Sequence, residues 1–393
     1  MTHLNTSATT RILSKVIDKQ ERLCGATMPA LAAMIAEKYR QKYRLSQSRL
    51  ETMLSAVALK NHANAARNPL AQFQQPITRE AYFASKFVAT PLRLYDCAPI
   101  TDGAAAVILT SQRTDVRLSG IGQGTGPLSL RERETFTSFP ATQAAAARAY
   151  QMAGISPRHI DFAEVHDAFT PFEIISTEDL GFFPAGKGGE AVLEGKTAVD
   201  GPLPVNLTGG LKARGHPVGA SGLAQVVEAA KLLRGEPHFP REFLRGLMQS
   251  TGGLATNNFV TILERSNAPA VESPGAAFPF LAPARAATKS SSAAASEEGT
   301  IETFTIVYVT PDGFLPPLAL ALIRDQQGRL LMAQGEDNGN LKIGREVSLR
   351  RIDDYYLFTV KSHLQAMQDS FMRLLRRATP APGGDQSAAN SKP

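Results

Sequence analysis

The run LTGGLKARGHPVGASG, residues 207–222, places one histidine, His216, among five glycines. Glycine lets the backbone turn tightly and lets a ligand approach closely, and Pro217 stiffens the chain just after the histidine. The apolar spacing of GLAQVVEAAKLLRG (222–235) predicts a helix directly downstream. Free N–H groups at a helix N-terminus attract anions, and a histidine held there can act as a base or polarise a carbonyl oxygen. A loop histidine taken alone is more often structural.

Helices and short buried strands alternate on both sides of this run, up to residue 265. Helical spacing is found in QKYRLSQSRLETMLSAVALKNHANAA (41–66) and ATQAAAARAYQMAG (141–154). Buried strands are predicted for GAAAVILTS (103–111), IDFAEV (160–165) and NNFVTIL (257–263). This alternation indicates a layered α/β domain.

Two other glycine-rich runs lack a nucleotide-binding signature. GFFPAGKG (181–188) comes close to a phosphate-binding loop, but Gly188 stands where a serine or threonine is needed to bind magnesium. GIGQGTG (120–126) lacks the dinucleotide spacing, and no helix follows it. We predict that 120–126 is a loop.

A compositional break separates a large block from a small one. Residues 266–300 are rich in Ala, Pro and Ser and are interpreted as a linker, and residues 379–393 as a disordered tail. Between them, five short strands separated by turns predict a small all-β barrel of the OB type. An amphipathic helix is predicted over 362–378, and its basic face is more often solvated than bound to phosphate.

Composition excludes several classes of protein. Hydrophobic residues make up 43% of the 393 residues, which is enough for a packed core. The two cysteines, Cys24 and Cys97, are too few for a zinc ribbon or an iron–sulfur cluster, so no metal is expected. No secretory leader and no apolar run of membrane-spanning length are found, so a cytoplasmic protein is expected. The net charge of +6 is more often a basic surface with no particular partner. The sharper alternative is a partner that carries phosphates, but no nucleic-acid motif accompanies the charge.

Two further segments carry candidate functional residues. In EVHDAF (164–169), His166 and Asp167 fall at the C-terminal end of a predicted strand, where ligand sites of α/β folds gather. In QSTGGLATNN (249–258), a Ser-Thr-Gly-Gly turn joins the last two strands. Each segment in isolation is also compatible with an ordinary hydrogen-bonded pair or an ordinary hairpin.

Taken together and in this order, the three segments resemble the C-terminal half of a thiolase of the sterol-carrier-protein and archaeal acetoacetyl-CoA types. The resemblance is almost continuous over HDAFTPFEIISTEDLGFFPAGKGGEAVLEGKTAVDGPLPVNLTGGLKARGHPVGASG (166–222). Upstream, GATMPALAAMIAEKY (25–39) and PLRLYDCAPITDGAAAVILTS (91–111) also fit the family. The small block resembles the OB-fold acyl-CoA-associated domain that accompanies these thiolases, usually as a separate subunit.

The resemblance implies a division of the chain into five parts. It predicts a remnant of the thiolase N-terminal half over 1–138, a complete C-terminal half over 139–265, the linker 266–300, an OB-fold domain with its helix over 301–378, and the tail 379–393. The fold class expected is α/β and thiolase-like, with an incomplete first half, plus the small barrel. Missing strands would leave apolar faces open, so we expect marginal stability or dependence on a partner.

The resemblance also implies roles for individual residues. Thiolases make or break a carbon–carbon bond between acyl-CoA units through an acyl-cysteine. His216 matches the histidine that activates that cysteine and helps form an oxyanion hole, and His166 stands where Asn or His holds the oxyanion-hole water. Gly252 matches the glycine of the C-x-G motif, whose N–H serves a second oxyanion hole. Gly215, Gly219 and Ser221 are predicted to bind coenzyme A.

The sequence departs from the family at its nucleophile. The family's reactive cysteine lies well upstream of the G-x-T-x-P segment, which here begins at Gly25. Neither Cys24 nor Cys97 is in its place, Ser250 replaces the second catalytic cysteine, and Ala168 occupies the alternative position. Without a thiolate there is no acyl-enzyme. The zinc ribbon that usually precedes the barrel is also missing.

Three interpretations remain open. The first is a thiolase-type acyltransferase whose sequence starts at an internal methionine and is inactive as it stands. The second is a non-catalytic acyl-CoA-binding partner of an intact thiolase, and the third is a thiolase-fold retro-aldolase acting on CoA thioesters. In each, a CoA thioester is the substrate or ligand, no cofactor is tightly bound, and a homo-oligomer or a complex with a thiolase-family subunit is expected by analogy. Translation of the DNA directly upstream would best separate them.

Overall fold

The structure is a computed structural model that describes residues 12–235, 241–269, 297–336, 339 and 341–362, together with residues 365 and 368. Most of the predicted linker, most of the predicted helix 362–378 and the whole tail 379–393 lie outside the described residues. Within the described part, none of the helices combines the length and the apolar character that crossing a bilayer requires.

The described α/β part holds helices and strands in alternation. The α-helices are α1 Lys19–Leu23, α2 Met28–Lys42, α3 Gln47–Ala65, α4 Arg79–Ala84, α5 Pro140–Ala153, α6 Thr170–Asp179, α7 Gly188–Leu193 and α8 Ser221–Arg234. The strands of this part are β1 Phe87–Ala89, β2 Leu92–Arg93, β3 Val116–Thr125, β4 Phe162–Glu164, β5 Arg245–Gly252 and β6 Asn257–Arg265. The predicted helical segment 41–66 is confirmed in two pieces, the end of α2 and the whole of α3. The predicted helix 141–154 and strands 160–165 and 257–263 are confirmed as α5, β4 and β6.

A four-stranded sheet in the order β3-β6-β5-β4 forms the centre of the α/β part. Strands β4 and β5 run parallel, and the other pairs are antiparallel. Leu247 of β5 belongs to the apolar cluster under α5, whereas its neighbour Met248 belongs to the cluster under α8. Because successive side chains of a strand point to opposite faces, the two helices cover opposite faces of the sheet. This is the layered α/β arrangement that the sequence predicts.

The prediction of a loop at 120–126 is wrong, because residues 120–125 belong to β3. Gly120, Gly122 and Gly124 alternate along the strand and face helix α5. A Cβ at these positions would lie 2.3, 1.9 and 2.1 Å from the backbone oxygens of Ala149, Ala145 and Ala141, respectively. The glycines therefore allow the strand to lie directly against the helix backbone, which is why they repeat at the two-residue period of a strand.

The prediction of a buried strand at 103–111 is also wrong. The structure assigns no strand there, and Ile108 and Leu109 are 94% and 77% exposed. The apolar composition is that of a buried strand, but among the described residues no strand pairs with this segment. Apolar composition alone therefore does not establish burial of this segment.

The small block forms a closed five-stranded barrel. Its strands are β7 Glu298–Val307, β8 Leu318–Asp325, β9 Leu330–Gly335, β10 Glu346–Ile352 and β11 Tyr355–Val360. They pair in the order β7-β8-β9-β11-β10, and β10 returns to β7 to close the barrel. The β9–β11 pair is parallel, and the other barrel pairs are antiparallel. The predicted OB-type barrel is confirmed.

The barrel packs tightly on the α/β part, which the sequence did not predict. Strand β8 alternates between two cores: Leu318, Leu320 and Leu322 join the apolar cluster of helix α2, while Ala319, Ala321 and Ile323 fill the barrel interior. Polar contacts reinforce the junction. Lys38 forms an ion pair with Glu302 at 2.6 Å, and Thr303 Oγ1 donates to the Met34 carbonyl at 3.0 Å. Ala89 of β1 pairs with Val307 of β7. The two parts therefore share one hydrophobic core.

Candidate active site

His166 follows strand β4, at the end where the sequence predicts a ligand site. Its backbone N–H donates to Gln249 Oε1 at 2.9 Å, and its ring Nδ1 accepts the backbone N–H of Thr251 at 3.3 Å. An accepting ring nitrogen carries no proton, so the neutral His166 ring carries its proton on Nε2. His166 is therefore a hydrogen-bond donor through Nε2.

His216 is held by the glycine-rich loop, residues 207–222. The loop enters a short π-helical turn, Gly210–Arg214, and leaves it at Gly215, whose φ of +119° is open to glycine but rarely to other residues. The His216 backbone N–H then donates to Thr101 Oγ1 at 3.0 Å. Its ring Nδ1 lies 2.7 Å from Ser221 Oγ.

The two histidine rings meet edge to face. Their centroids are 5.2 Å apart and their planes cross at 88°. Burial lowers the pKa of His216 to about 4, and the Arg214 guanidinium contributes to the shift. Burial, His216 and Arg214 together lower the pKa of His166 well below its ordinary value. Both rings are therefore neutral at pH 7, and a neutral ring can accept a proton at one nitrogen and donate one from the other.

A buried network fixes the segments that carry both histidines. Asp167 Oδ1 accepts the Leu211 N–H at 2.6 Å, and Asp167 Oδ2 accepts Asn61 Nδ2 at 2.7 Å. The same Asn61 amide donates to Glu173 Oε2 at 2.8 Å, and Lys60 Nζ lies 3.0 Å from Glu173 Oε1. Burial and the Glu173 carboxylate raise the pKa of Asp167 to about 7. Asp167, next to His166, thus anchors the loop that leads to His216.

The other predicted site residues surround this pair. Ser250 lies in β5, and a Cβ at Gly222 would come within 2.8 Å of its Oγ, which places the Ser250 hydroxyl at the start of α8. Gly252 is the last residue of β5, directly after Thr251, whose N–H binds His166. No atom lies within 4 Å of a Cβ built on Gly219, so this position is open to a ligand. The Ser221 side chain is buried against His216.

Neither cysteine is activated. Cys24 is fully buried beneath the barrel, and its thiol donates to the Met332 carbonyl at 3.3 Å. Cys97 Sγ lies 3.7 Å from the Arg93 carbonyl. Burial raises the pKa of each thiol to about 12, so both are protonated at pH 7. Within the described ranges, no group of three His, Cys, Asp or Glu side chains could hold a metal ion.

Sequence reasoning missed the supporting residues of helix α3 and of the segment before β3. Lys60 and Asn61 are buried in the network, and Thr101 binds the His216 backbone. The sequence does carry a signal for Lys60 and Asn61, because polar residues on the buried side of an amphipathic helix require hydrogen-bond partners inside the protein. Nothing in the sequence pattern indicates which carboxylates those partners are.

Comparisons with known proteins agree with the fold. The chain matches the family models "Thiolase, N-terminal domain" over residues 1–113 and "Thiolase C-terminal domain-like" over residues 122–265. The chain therefore belongs to the thiolase family, and its small block adds an OB-type barrel. The resemblance seen in the sequence is confirmed.

Individual relatives include an acetyl-CoA acetyltransferase of Methanothermobacter thermautotrophicus, 46% identical over 219 residues, which are 54% of this chain and 56% of the relative. Sterol carrier protein 2 of Oryctolagus cuniculus is 31% identical over 57% of this chain and 42% of its own length. The chain thus spans about half the length of the curated relatives it matches.

Two solved structures are similar. The Ltp2-ChsH2(DUF35) aldolase is 25% identical, with a TM-score of 0.53, over 61% of this chain and 64% of that chain. A monomeric SCP2-thiolase-like protein of Mycobacterium smegmatis is 17% identical, with a TM-score of 0.63, over 86% of this chain and 74% of that chain. The second likeness supports the fold alone.

Proposed function

We propose that this chain carries the enolate-forming half of a thiolase-family active site and acts on acyl-CoA thioesters. The observation that carries the proposal is the contact between two neutral histidine rings, His166 and His216, at 5.2 Å. The reaction class is that of acetyl-CoA C-acyltransferases, in which a carbon–carbon bond next to a thioester is made or broken. The CoA thioester is a substrate, and no tightly held cofactor is needed for this step.

The two rings divide the work of proton transfer. His216 takes a proton from the carbon next to the thioester carbonyl, and the electron pair of that C–H bond forms the enolate. The Nε2–H of His166 donates to the enolate oxygen. One preorganised donor of this kind lowers the barrier by about 3 kcal/mol, and a positioned base contributes about 10²–10⁴-fold to the rate.

Acyl transfer requires a further group that the chain does not supply. A thiolate must accept the acyl group, and burial keeps both Cys24 and Cys97 protonated. We therefore expect the 393-residue chain to form the enolate without completing acyl transfer. Gly219 and the open surface beside α8 are proposed to admit the coenzyme A moiety, whose phosphates the basic net charge of +6 would favour.

Deuterium exchange of acetyl-CoA tests this proposal. The purified chain in D2O should exchange the methyl protons of acetyl-CoA, followed by NMR, while thiolysis of acetoacetyl-CoA by free CoA stays at background. His216→Asn should abolish the exchange, and His166→Ala should reduce it by about 10²–10³-fold as expected for loss of an oxyanion donor. Binding of acetyl-CoA without exchange would contradict the proposal and favour a non-catalytic binding partner.

A second candidate function is a retro-aldol reaction on a 3-hydroxyacyl-CoA. It is favoured by Ser250 and Ala168, which occupy both positions of the second catalytic cysteine, and by the likeness to a solved aldolase. His216 would take the hydroxyl proton, the bond between Cα and Cβ would break, and its electron pair would form the same enolate beside His166. Protonation of Cα then yields a shortened acyl-CoA and a ketone or aldehyde.

Product analysis separates the two candidates. A retro-aldolase would release a carbonyl compound from a tertiary 3-hydroxyacyl-CoA, detected by mass spectrometry in the absence of free CoA. If the chain exchanges acetyl-CoA protons but releases no carbonyl compound from such substrates, the retro-aldol candidate is excluded. The enolate-forming half of an acyltransferase site is then the function.

A further inference from the structure

Ser221 makes two hydrogen-bond contacts that together constrain the ring of His216. Its Oγ lies 2.7 Å from His216 Nδ1 and 3.1 Å from the Pro217 carbonyl oxygen. The side chain is 1% exposed, so water does not compete for either contact. These contacts place the serine behind the ring, on the Nδ1 side.

The hydroxyl has a single proton, and the Pro217 carbonyl can only accept. If that proton pointed to His216 Nδ1, two oxygen lone pairs would face each other at 3.1 Å in a buried place. If it points to the carbonyl, both contacts are hydrogen bonds, and Nδ1 is the donor to Ser221. Two backbone N–H groups already pair with the Pro217 carbonyl, so it is satisfied in either arrangement. The second arrangement is favoured because it alone makes both short contacts of Ser221 hydrogen bonds.

We propose that Ser221 is a positioning residue that keeps the proton of neutral His216 on Nδ1 and leaves Nε2 free as the proton acceptor. The role rests on the proposed function, because it matters for catalysis only if His216 is the base. It gives the two rings opposite tautomers: His166 keeps its proton on Nε2, since Thr251 N–H occupies its Nδ1. One ring is then a donor and the other an acceptor toward the same substrate.

The backbone explains how Ser221 reaches this position. Ser221 is the first residue of α8, and Pro217 O also accepts the backbone N–H groups of Ala220 and Ser221 at 2.7 and 3.0 Å. This tight turn brings the serine hydroxyl back to the ring of the histidine five residues earlier. Gly222 follows it, and its lack of a Cβ makes room for Ser250.

The test combines a direct readout of the tautomer with a readout of function. ¹⁵N NMR of the full chain, with the His216 signals assigned by comparison with His216→Asn, should show a protonated Nδ1 and a bare Nε2 in the wild type. Ser221→Ala should shift this ratio toward the other tautomer and slow the exchange of acetyl-CoA protons by about 10–100-fold, the size of loss seen when the partner that orients a metal-bound imidazole is removed. Ser221→Thr keeps the hydroxyl group, so its tautomer ratio and its exchange rate should be close to those of the wild type.

The two readouts separate the possible failures. A wild-type chain that exchanges no protons but shows the Nδ1–H tautomer, lost in Ser221→Ala, would refute the proposed function and support the role of Ser221. A proton on Nε2 of His216 in the wild type would overturn the inference, as would a tautomer ratio unchanged by Ser221→Ala in a chain whose amide spectrum shows the native fold.

Discussion

At the residue scale, the candidate site is a pair of histidines whose surroundings decide what each can do. The sequence indicates both, because His216 lies in a glycine-rich run and His166 at a strand end. It does not indicate the Asn61 bridge or the Ser221 contact. The Asn61 bridge joins residues more than 100 positions apart, and the Ser221 contact depends on a turn that forms only in the folded chain. Spacing can therefore locate a site residue without revealing the groups that set its chemistry.

The low pKa of His216 predicts how the proton exchange depends on pH. Its folded pKa of about 4 lies below the ordinary 6.5, so the ring stays neutral and able to accept a proton at every pH above about 4. Protonation of His216 should therefore not change the exchange rate of acetyl-CoA between pH 8 and 5, and the rate should fall as the pH drops through about 4. A step near pH 7 would belong to Asp167, whose pKa is about 7, and should be absent in Asp167→Asn. A rate that halves near pH 6.5 in Asp167→Asn as well as in the wild type would contradict the low pKa of His216.

The buried ion pair of Lys60 and Glu173 predicts a large loss of stability. Lys60→Met would leave the Glu173 carboxylate buried without its cation, which costs about 3–5 kcal/mol of the free energy of unfolding. The double variant Lys60→Met/Glu173→Gln should be more stable than the single variant. As a control, Lys196→Met removes an ion pair that is about half exposed and should change stability by less than about 1 kcal/mol. Urea denaturation measures the free energy of unfolding of the three variants. Equal midpoints for Lys60→Met and Lys196→Met would contradict the prediction.

At the element scale, strand β3 shows how a glycine pattern can be misinterpreted. The run 120–126 has many glycines, which suggests a loop, yet its glycines alternate and so match the period of a strand that lies on a helix. The partner helix α5 is itself rich in alanine, which also favours close approach. The alternating glycines of β3 and the alanines of α5 together indicate a strand packed against a helix. Neither pattern decides the fold alone.

This packing predicts a sharp difference between two glycines of the same segment. Gly122→Ala would place a methyl group 1.9 Å from the Ala145 oxygen, so the strand must move away from α5, at a cost of about 3 kcal/mol or more. In Gly126→Ala the new methyl group would contact only the Ala141 methyl group, at 3.7 Å, so the free energy of unfolding should change by less than about 1 kcal/mol. Thermal unfolding by circular dichroism would compare them, and similar midpoints would contradict the described contact.

The exposed segment 103–111 predicts self-association. Apolar composition led to the prediction of burial, but burial depends on neighbouring strands, and no described strand pairs with it. Ile108→Lys should leave the free energy of unfolding within about 0.5 kcal/mol, because the side chain is 94% exposed, and should reduce concentration-dependent association in sedimentation. Gln112→Lys adds the same charge outside the apolar run and serves as the control. Association that is equal in both variants would show that this surface is not involved.

At the scale of the whole molecule, the barrel and the α/β part share one hydrophobic core. Leu320 packs in the cluster shared with helix α2, whereas Leu349 packs in the barrel interior. Leu320→Ala should cost about 2–5 kcal/mol and reduce hydrogen-exchange protection in both α2 and the barrel. Leu349→Ala should reduce protection mainly in the barrel. Loss of protection confined to the barrel in both variants would mean that the two parts fold separately.

The chain is proposed to activate a CoA thioester with two histidines and without a thiolate. The most direct test is the rate of acetyl-CoA proton exchange in the Cys24→Ala/Cys97→Ala variant, compared with the wild type and with His216→Asn. We expect a rate close to that of the wild type in the cysteine-free variant and only background exchange in His216→Asn. Exchange that disappears with the cysteines and persists without His216 would contradict it.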